Sequence, residues 1–445
     1  MFRLPRLLPA ALFASLIALV SGLLVVTAVP SHARDGNVAT PGNFTGYGFD
    51  QCLAPEQWKM DRWLNRSPFL AVGIYVSGYS RGCRTQPNLT PAWVSTQLAN
   101  GWRLLPITLG PQASCSPHFP RYGSDKTIDA RPGPLGKYGY ARRQAITQAN
   151  QSVADAAALG IGKGSALWYD LEGFDATKTA CRESALRFLS AWTGRVHALG
   201  YLSGVYSSAG SGIQVLDRAR AAGVNYYYPD YLWIARWDGV ANTRTSYISD
   251  VGWNPHRRIK QYQGGHNETW GGVTINIDRN YLDLGTGSVG PANLSLCGGV
   301  KLNFFDYQAL SPGVNRPFKT KALQCLLNGR GLYDGPMNGS YDAATIAAAN
   351  RWQTRNGARV STTWSITNWS SLLTAGATPV VKVGSASHAV RRLQRALNAE
   401  LSDARVHTTG LFDAATDSAL RAWQRRNGLP VSGVAAADTW AALRS

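Results

Sequence analysis

Eight short apolar segments, each predicted to be a β-strand, recur along residues 46–278 with helical segments between most of them. The predicted strands are residues 46–50, 69–77, 103–109, 166–172, 203–207, 231–237, 259–263 and 273–278. The main helices predicted between them are residues 55–65, 91–100, 138–159, 182–199 and 212–222. Eight strands with intervening helices over about 240 residues match the size and order of a (β/α)8 barrel. We therefore predict an α/β fold with a TIM-type barrel over residues 44–285.

The C-terminal third contains an internal repeat. Leu323-Gln324 recurs as Leu393-Gln394, residues 339–345 recur as 410–416, and residues 352–357 recur as 423–428. In each copy an Asp is placed to cap a helix, and an Arg-Asn-Gly sequence is suited to end it. The pattern predicts two small all-α domains of three helices each, over residues 297–375 and 379–445. Residues 286–296, rich in Gly, Ser and Pro, are predicted to be a linker.

The first 33 residues have the features of a secretory signal peptide. Arg3 and Arg6 precede an apolar run that extends to about residue 29, and Ser31-His32-Ala33 offers small residues for cleavage before Arg34. The alternative is retention as a membrane anchor, because the apolar run is nearly long enough to span a bilayer. We expect a secreted protein that has no membrane contact after cleavage.

Cysteine content and charge are consistent with export. Six cysteines in an exported chain favour three disulfides, although fifteen pairings are open. The net charge is +19, which outside the cell suggests anionic wall polymers, acidic glycans or lipid headgroups as partners rather than nucleic acid. The alternative is that the basic surface only keeps the protein soluble. The chain has no CxxC pair and no HExxH sequence, so we expect no metal and no cofactor.

Two carboxylates end the fourth predicted strand. The apolar run of residues 166–169 stops at Asp170-Leu171-Glu172, and residues i and i+2 of a strand point to the same face. When two carboxyl groups lie close together in a partly dry site, the pKa of one is raised above that of the other. One group is then a protonated acid at a pH where the other is an anion. Asp170 and Glu172 are therefore candidate catalytic residues of a glycosidase.

Two further acidic residues fall at predicted strand ends. Asp50 ends the first strand and Asp278 ends the eighth. Barrel closure brings the first, fourth and eighth strand ends to one rim, where the chemistry of such barrels takes place. We include both residues in the candidate catalytic set, with a helix cap or a structural ion pair as the alternative for each.

Many aromatic residues and four cysteines are also predicted to lie at the carboxyl ends of the strands. Aromatic faces suit the apolar faces of sugar rings, and the candidate substrate-binding residues are Tyr75, Trp168, Tyr206, Trp233, Trp237 and Tyr262. Four cysteines each follow one of the first four strands, so neighbouring loops could be joined as Cys52–Cys83 and Cys115–Cys181. This leaves Cys297–Cys325 to brace the first repeat.

Two other motifs suggest different functions, but their structural context does not fit. Residues 78–82 match G-x-S-x-G, but Cys83 and Pro87 follow the serine in a loop where a nucleophile elbow needs a helix. Residues 160–165 are glycine-rich but connect a helix to a strand, the reverse of a phosphate-binding loop. A serine hydrolase and a nucleotide-binding protein are therefore disfavoured.

Both parts of the chain resemble known families. The repeats resemble the peptidoglycan-binding three-helix domain of secreted wall hydrolases, which has the pattern V-x-x-L-Q-x-x-L-N, then G-x-F-D-x-x-T, then A-x-x-x-F-Q-x-x-x-G-L. The second repeat fits it from Val390 to Leu429, whereas the first departs at Cys325, Asn350 and Ala358.

The N-terminal domain resembles the glycoside-hydrolase-like domain family of secreted actinobacterial proteins, which is similar in turn to the lysozyme-type muramidases of glycoside hydrolase family 25. The matching stretches include residues 48–52, 72–78, 88–90, 101–102, 169–172 and 232–235. Family 25 enzymes carry an early strand-end Asp, a D-x-E, a W-x-A segment and a late Asp, and Asp50, Asp170, Glu172, Trp233 and Asp278 occupy the matching positions.

The resemblance implies a secreted, wall-associated glycoside hydrolase that acts on peptidoglycan or a related glycan. Glu172 would be the general acid, and Asp170 would stay ionised to stabilise the oxocarbenium-like transition state or orient the substrate. Asp50 and Asp278 would position sugar and water. The main alternative is a non-catalytic wall-glycan-binding protein that retains the barrel, and a weaker one is an amidase or peptidase.

Overall fold

Eight strands close into a barrel in chain order, from β1 next to β2 through to β8 next to β1. The computed structural model describes residues 39–285 and 296–445, so the predicted signal peptide and nearly all of the predicted linker lie outside the described residues. The strands are β1 Thr45–Asp50, β2 Phe69–Ser77, β3 Arg103–Thr108, β4 Ala166–Asp170, β5 Leu202–Ser208, β6 Tyr231–Ala235, β7 Arg258–Trp270 and β8 Val273–Asp283. The predicted TIM-type barrel is confirmed.

Within the described barrel, an α-helix follows each of the first five strands. The helices are α1 Gln57–Arg66, α2 Pro91–Ala99, α3 Gly139–Ala158, α4 Thr179–Ala198 and α5 Gln214–Ala221. Strands β1 to β7 pair in parallel, whereas β8 is antiparallel to both β7 and β1. Strands β7 and β8 form a hairpin whose two turn residues, Gly271 and Gly272, have φ of 60° and 78°, the left-handed region that such turns require.

The hairpin corrects one expectation from the sequence. Asp278 was predicted to end a short parallel strand, but β8 extends to Asp283 and Asp278 lies in its middle. Because β8 runs in the opposite direction to β1, Asp278 still pairs in register with Asp50 at the end of β1.

Two tryptophans fill the barrel interior below this level. Trp168 of β4 and Trp233 of β6 are almost completely buried, and their rings pack edge to face with centroids 5.5 Å apart. Gly204 of β5 pairs with Trp168, and a Cβ atom at residue 204 would overlap the indole ring. The packed interior confines any ligand to the ends of the barrel.

The C-terminal region consists of two three-helix units. The helices are α6 Pro317–Asn328, α7 Ala343–Arg355 and α8 Ile366–Thr374 in the first unit, and α9 His388–Glu400, α10 Ala414–Arg426 and α11 Ala437–Ala442 in the second. Asp342 and Asp413 cap α7 and α10, each accepting a backbone N–H bond of 2.9 Å. No helix in the described part of the chain combines the length and apolarity needed to cross a membrane.

Buried amides explain much of the repeated sequence. Gln324 donates to the Thr345 hydroxyl and accepts from the Gly339 backbone, each over 3.0 Å. Gln394 makes the equivalent bonds to Thr416 and Gly410, at 3.0 and 2.8 Å. The repeated Leu-Gln therefore fixes the turn before the second helix of each unit, and these motif residues have a structural role.

The second unit packs against the N-terminal end of the barrel strands. Lys382 is 1% exposed, and its Nζ donates to the carbonyl oxygens of Leu64 and Ser67 at 2.6 and 2.9 Å. These carbonyls end α1, where a helix leaves backbone oxygens without intrahelical partners. Arg66 and Asp438 add an ion pair of 2.6 Å across the same contact.

Three disulfides are present. Cys52–Cys83 joins the loops after β1 and β2, and Cys115–Cys181 joins the loop after β3 to the first turn of α4, so Cys181 lies in a helix and not in a loop. Cys297–Cys325 ties the segment before the first unit to α6. These are the pairs suggested from the sequence. The first two brace the rim at the carboxyl ends of the strands.

Candidate active site

A pair of carboxyl groups lies where β1 meets β8. Asp50 is buried, and it shares a side-chain hydrogen bond with Asp278. Burial, followed by the charge of Asp278, raises the pKa of Asp50 to about 8. Burial raises the pKa of Asp278 to about 6, and the hydrogen bond from Asp50 limits that rise. The pair therefore holds one proton near neutral pH, with Asp50 as donor and Asp278 as acceptor.

Two buried amides hold Asp50 in place. Asn280 donates to Asp50 Oδ1 at 2.6 Å, and Gln261 donates to the same oxygen at 3.1 Å. The carbonyl of Gln261 accepts from the Tyr206 hydroxyl at 3.0 Å and from the Trp237 indole at 2.9 Å. Because these two donors occupy the amide oxygen, the NH2 group of Gln261 must face Asp50.

Asp170 lies at the end of β4. Its Oδ2 accepts from the Tyr75 hydroxyl over 3.4 Å, and its Oδ1 has no hydrogen-bond partner among the described residues. Burial, with smaller contributions from the charges of Glu172 and Asp50, raises its pKa well above the usual value. The raised pKa favours the protonated form of Asp170, whereas the resemblance implies an ionised carboxylate; its role remains a prediction.

Glu172 follows the strand and is half-buried. Its backbone N–H donates to Gln112 Oε1 at 2.8 Å, while Gln112 Nε2 donates to the Asp170 carbonyl at 2.6 Å. This clamp fixes the Asp170-Leu171-Glu172 backbone. Burial raises the pKa of Glu172, and the positive charges of Arg121 and His118 oppose that rise.

Two cavities meet at Glu172. A small pocket of about 210 Å³ is lined by Asp50, Tyr75, Arg121, Glu172 and Asp278, among others. A wider cleft of about 1030 Å³ also contains Glu172 in its wall. Its other lining residues include His118, Tyr206, Trp237 and Tyr247. An extended ligand in the cleft would thus pass the Glu172 carboxyl group with one of its units at the mouth of the carboxyl-lined pocket.

The six aromatic residues predicted to bind substrate fall into two groups, those that line a cavity of the site and those that are buried away from it. Tyr75 lines the pocket, and Tyr206 and the 65%-exposed Trp237 line the cleft. Trp168 and Trp233 are buried in the barrel interior, and Tyr262 is buried beside Arg279. These last three residues line neither the cleft nor the pocket, and their role in substrate binding remains a prediction from the sequence.

Trp233 positions a residue of the site although it does not line either cavity. Its indole N–H donates to Asn280 Oδ1 at 2.7 Å, and this orients the Asn280 amide toward Asp50. The sequence analysis missed Asn280, Gln261 and Gln112, the amides that position the carboxyl groups. Gln261 and Asn280 lie in strands that contain several other polar residues, and Gln112 lies in the loop after β3, so no signal in the sequence distinguished these amides from their polar neighbours.

The described residues contain no group of three or more His, Cys, Asp or Glu side chains arranged to hold a metal ion. The site instead offers four carboxyl groups whose pKa values are all raised. Carboxyl groups that remain protonated near pH 7 can donate a proton to a leaving oxygen, and an ionised neighbour can stabilise developing positive charge.

Two known families match parts of this chain. Residues 61–282 match the family described as Rv2525c-like, glycoside hydrolase-like domain. The barrel is an Rv2525c-like glycoside-hydrolase-like domain. Residues 387–443, within the second helical unit, match the family described as putative peptidoglycan binding domain. The Rv2525c-like domain and the peptidoglycan-binding domain together support a protein associated with cell-wall glycans.

Three solved structures are similar to the part of the chain that contains the Rv2525c-like domain. An uncharacterized B. stearothermophilus protein has 17% identity and a TM-score of 0.34, covering 53% of this chain and 95% of its own. The Mycobacterium tuberculosis Tat-secreted protein Rv2525c, in complex with L-tartrate, has 13% identity and a TM-score of 0.36, covering 54% and 95%. The catalytic domain of endolysin ply40 from Listeria monocytogenes bacteriophage P40 has 13% identity and a TM-score of 0.30, covering 54% and 93%. A search of curated proteins found no match.

Proposed function

We propose that this protein is a secreted, muramidase-like glycoside hydrolase that cleaves a glycosidic bond of peptidoglycan or a related wall glycan. The position of Glu172 carries the proposal. Its carboxyl group lies where the wide cleft meets the carboxyl-lined pocket, and burial raises its pKa. A protonated carboxyl group at that junction can reach the oxygen that links two sugars lying along the cleft.

In the proposed reaction, Glu172 gives its proton to the leaving oxygen as the bond to the anomeric carbon breaks. Asp278 ionises more readily than its partner, because the hydrogen bond from Asp50 stabilises its carboxylate. Asp278 is therefore the anion that stabilises the oxocarbenium-like centre or orients the water that adds to it. Asp278 takes this role in place of Asp170, because burial raises the pKa of Asp170 and favours its protonated form.

The remaining residues hold this arrangement. Asp50 retains the shared proton and is fixed by Gln261 and Asn280. Tyr206 and Trp237, which both donate to Gln261, line the cleft, where sugar rings can pack against aromatic side chains. The second helical unit holds the enzyme at the wall, and the N-terminal segment directs its export.

The test is mass spectrometry of soluble products after the purified protein is incubated with sacculi. We expect fragments with new reducing ends from the wild type and at least about a hundredfold fewer from Glu172→Gln, because general acid catalysis contributes about that much. Glu56→Gln, at an exposed glutamate that precedes α1 and pairs with Lys59, is the matched control and should act like the wild type. A folded Glu172→Gln variant with full activity would refute the assignment.

A specific observation favours a second candidate, a wall-glycan-binding protein without hydrolytic activity. Two amide donors hold the buried Asp50, and the buried Asp170 accepts a bond from Tyr75, as in a structural framework that does not react. In that case wild type and Glu172→Gln should both sediment with sacculi, and neither should release fragments.

A further inference from the structure

A second concave surface lies on the outside of the barrel, along helix α4. It consists of two cavities of about 530 and 440 Å³. Arg187 and Tyr226 line both cavities, so they form one continuous surface, which we call the α4 groove. The groove is separate from the candidate active site, since it shares no lining residue with the cleft or the pocket.

Arginines dominate the α4 groove. Arg142, Arg187 and Arg195 line one cavity, and Arg182, Arg187 and Arg218 line the other. The groove's one carboxylate, Glu183, lies 3.4 Å from Arg182. In the part of the chain that the structure describes, the other four arginines form no ion pair. Four cations gathered in one groove repel each other, and a bound anion would relieve that repulsion.

Two of these arginines are held in place. Arg187 stacks on the Tyr226 ring, with its guanidinium carbon 4.8 Å from the ring centroid, and its buried Nε has no hydrogen-bond partner among the described residues. Arg195 Nε donates to Asn150 at 2.7 Å, which fixes the guanidinium while leaving its terminal nitrogens available. Fixed guanidinium groups with unused N–H donors suit phosphate or carboxylate oxygens, which they bind through paired hydrogen bonds.

The length of the groove indicates an extended ligand. Arg182 and Arg195 lie 13 residues apart (195 − 182) on α4, about 20 Å at the rise of an α-helix. Tyr227 adds a ring that is 67% exposed at the cavity of Arg142 and Arg195. Arginines spread along such a path, with an aromatic surface beside them, fit a chain that alternates oxyanions with sugar or polyol carbons better than a single small anion.

We propose that the α4 groove binds a linear oxyanionic polymer of the cell wall, one that carries phosphodiester or carboxylate groups along a sugar or polyol chain. The net charge of +19 favours long-range attraction of such a polymer. The peptidoglycan-binding domain supports a location where anionic wall polymers are present. The groove thus provides a contact with the wall that is independent of the catalytic proposal.

The test compares two double variants that remove the same charge. Arg142→Gln/Arg218→Gln changes one arginine in each cavity, and Arg244→Gln/Arg257→Gln changes two exposed arginines outside both cavities. None of the four forms an ion pair within the described residues, so both proteins should keep the wild-type melting temperature. Binding is measured by fluorescence anisotropy with labelled poly(glycerol phosphate), labelled polygalacturonate and a single-stranded DNA oligonucleotide.

We expect the wild type to bind at least one wall-type polymer with an affinity that falls as salt rises. The groove variant should bind about tenfold more weakly and the control variant within about twofold of wild type, given the usual strength of arginine–oxyanion contacts. Preference for one polymer identifies phosphodiester or carboxylate as the source. Equal weakening of both variants, no binding of either polymer, or tighter binding of DNA would overturn the proposal.

Discussion

Asp50 and Asp278 face each other across the antiparallel pairing of β1 with β8, and their side chains share a hydrogen bond. The two residues are 228 positions apart in the chain (278 − 50), and the reversed direction of β8 brings them together. Their pKa values, about 8 and about 6, are those of a pair that releases its two protons in separate steps.

This pair should make the barrel less stable as pH rises. Both groups keep protons in the folded state at pH values where the unfolded chain, with pKa near 3.9, has released them. The folded state therefore binds more protons between about pH 4 and 8, and each retained proton lowers the free energy of unfolding by about 1.4 kcal/mol per pH unit. Asp278→Asn removes the like charge and should flatten this slope, measured as melting temperature between pH 5 and 8.

The matched control is Asp403→Asn, at an exposed aspartate of the second helical unit. It should retain the wild-type dependence on pH. An Asp278→Asn protein with the same slope as the wild type would show that the two carboxyl groups do not share a proton.

Arg121 should set the alkaline limit of activity. Its positive charge lowers the pKa of Glu172, which burial raises. Arg121→Gln removes that charge, so Glu172 should hold its proton to higher pH and the alkaline limb of kcat/KM should move upward. The pH profile with soluble glycan fragments measures this, with Arg244→Gln as the control. A limb that stays in place, or moves to lower pH, would exclude Glu172 as the acid that this profile reports.

The two barrel tryptophans offer a matched comparison. Trp233→Phe and Trp168→Phe remove the same volume from the same packed interior, and each should lower stability by about 1–3 kcal/mol. The indole N–H of Trp233 holds Asn280, whereas the indole N–H of Trp168 has no partner in the described structure. Trp233→Phe alone should therefore lower kcat, by about tenfold to a hundredfold. Equal kcat values for the two variants would show that Trp233 has only a packing role.

Lys382 should couple the unfolding of the second helical unit to that of the barrel. Lys382→Ala would leave the carbonyls of Leu64 and Ser67 buried without their donor, at a cost of about 1–3 kcal/mol for each. Calorimetry should show the second unit melting separately from the barrel, while Lys137→Ala, at an exposed lysine, keeps the wild-type profile. A single unchanged transition in Lys382→Ala would show that other contacts hold the two parts together.

The sequence was sufficient to predict the barrel and the neighbourhood of Asp170 and Glu172, because both depend on local patterns. Strand order followed from the alternation of apolar and helical segments, and Glu172 lies within two residues of the end of β4. The direction of β8 could not be predicted in the same way. Strands β7 and β8 extend beyond the short apolar segments that predicted them. The added residues are a mixture of exposed and half-buried side chains, so the sequence did not indicate a hairpin there.

The sequence also could not predict whether each aromatic side chain points into the barrel or toward the surrounding helices. Strands of a barrel are buried on both faces, so Trp168 and Tyr169 look alike in the chain although they face opposite sides of the sheet. The contacts of Gln261 and Asn280 with Asp50 join residues more than two hundred positions apart. Only the closed barrel defines such partners.

The contact made by Lys382 also determines how far the second helical unit lies from the candidate active site. It attaches the second helical unit to the end of the barrel where the strands begin, and Glu172 lies at the end where they finish. Strands of this length separate the two ends by about 20 Å. Under the proposed function, a glycan bound by the helical unit would be attached about one barrel height away from the cleft, and the cleft would act on glycan at that distance from the point of attachment.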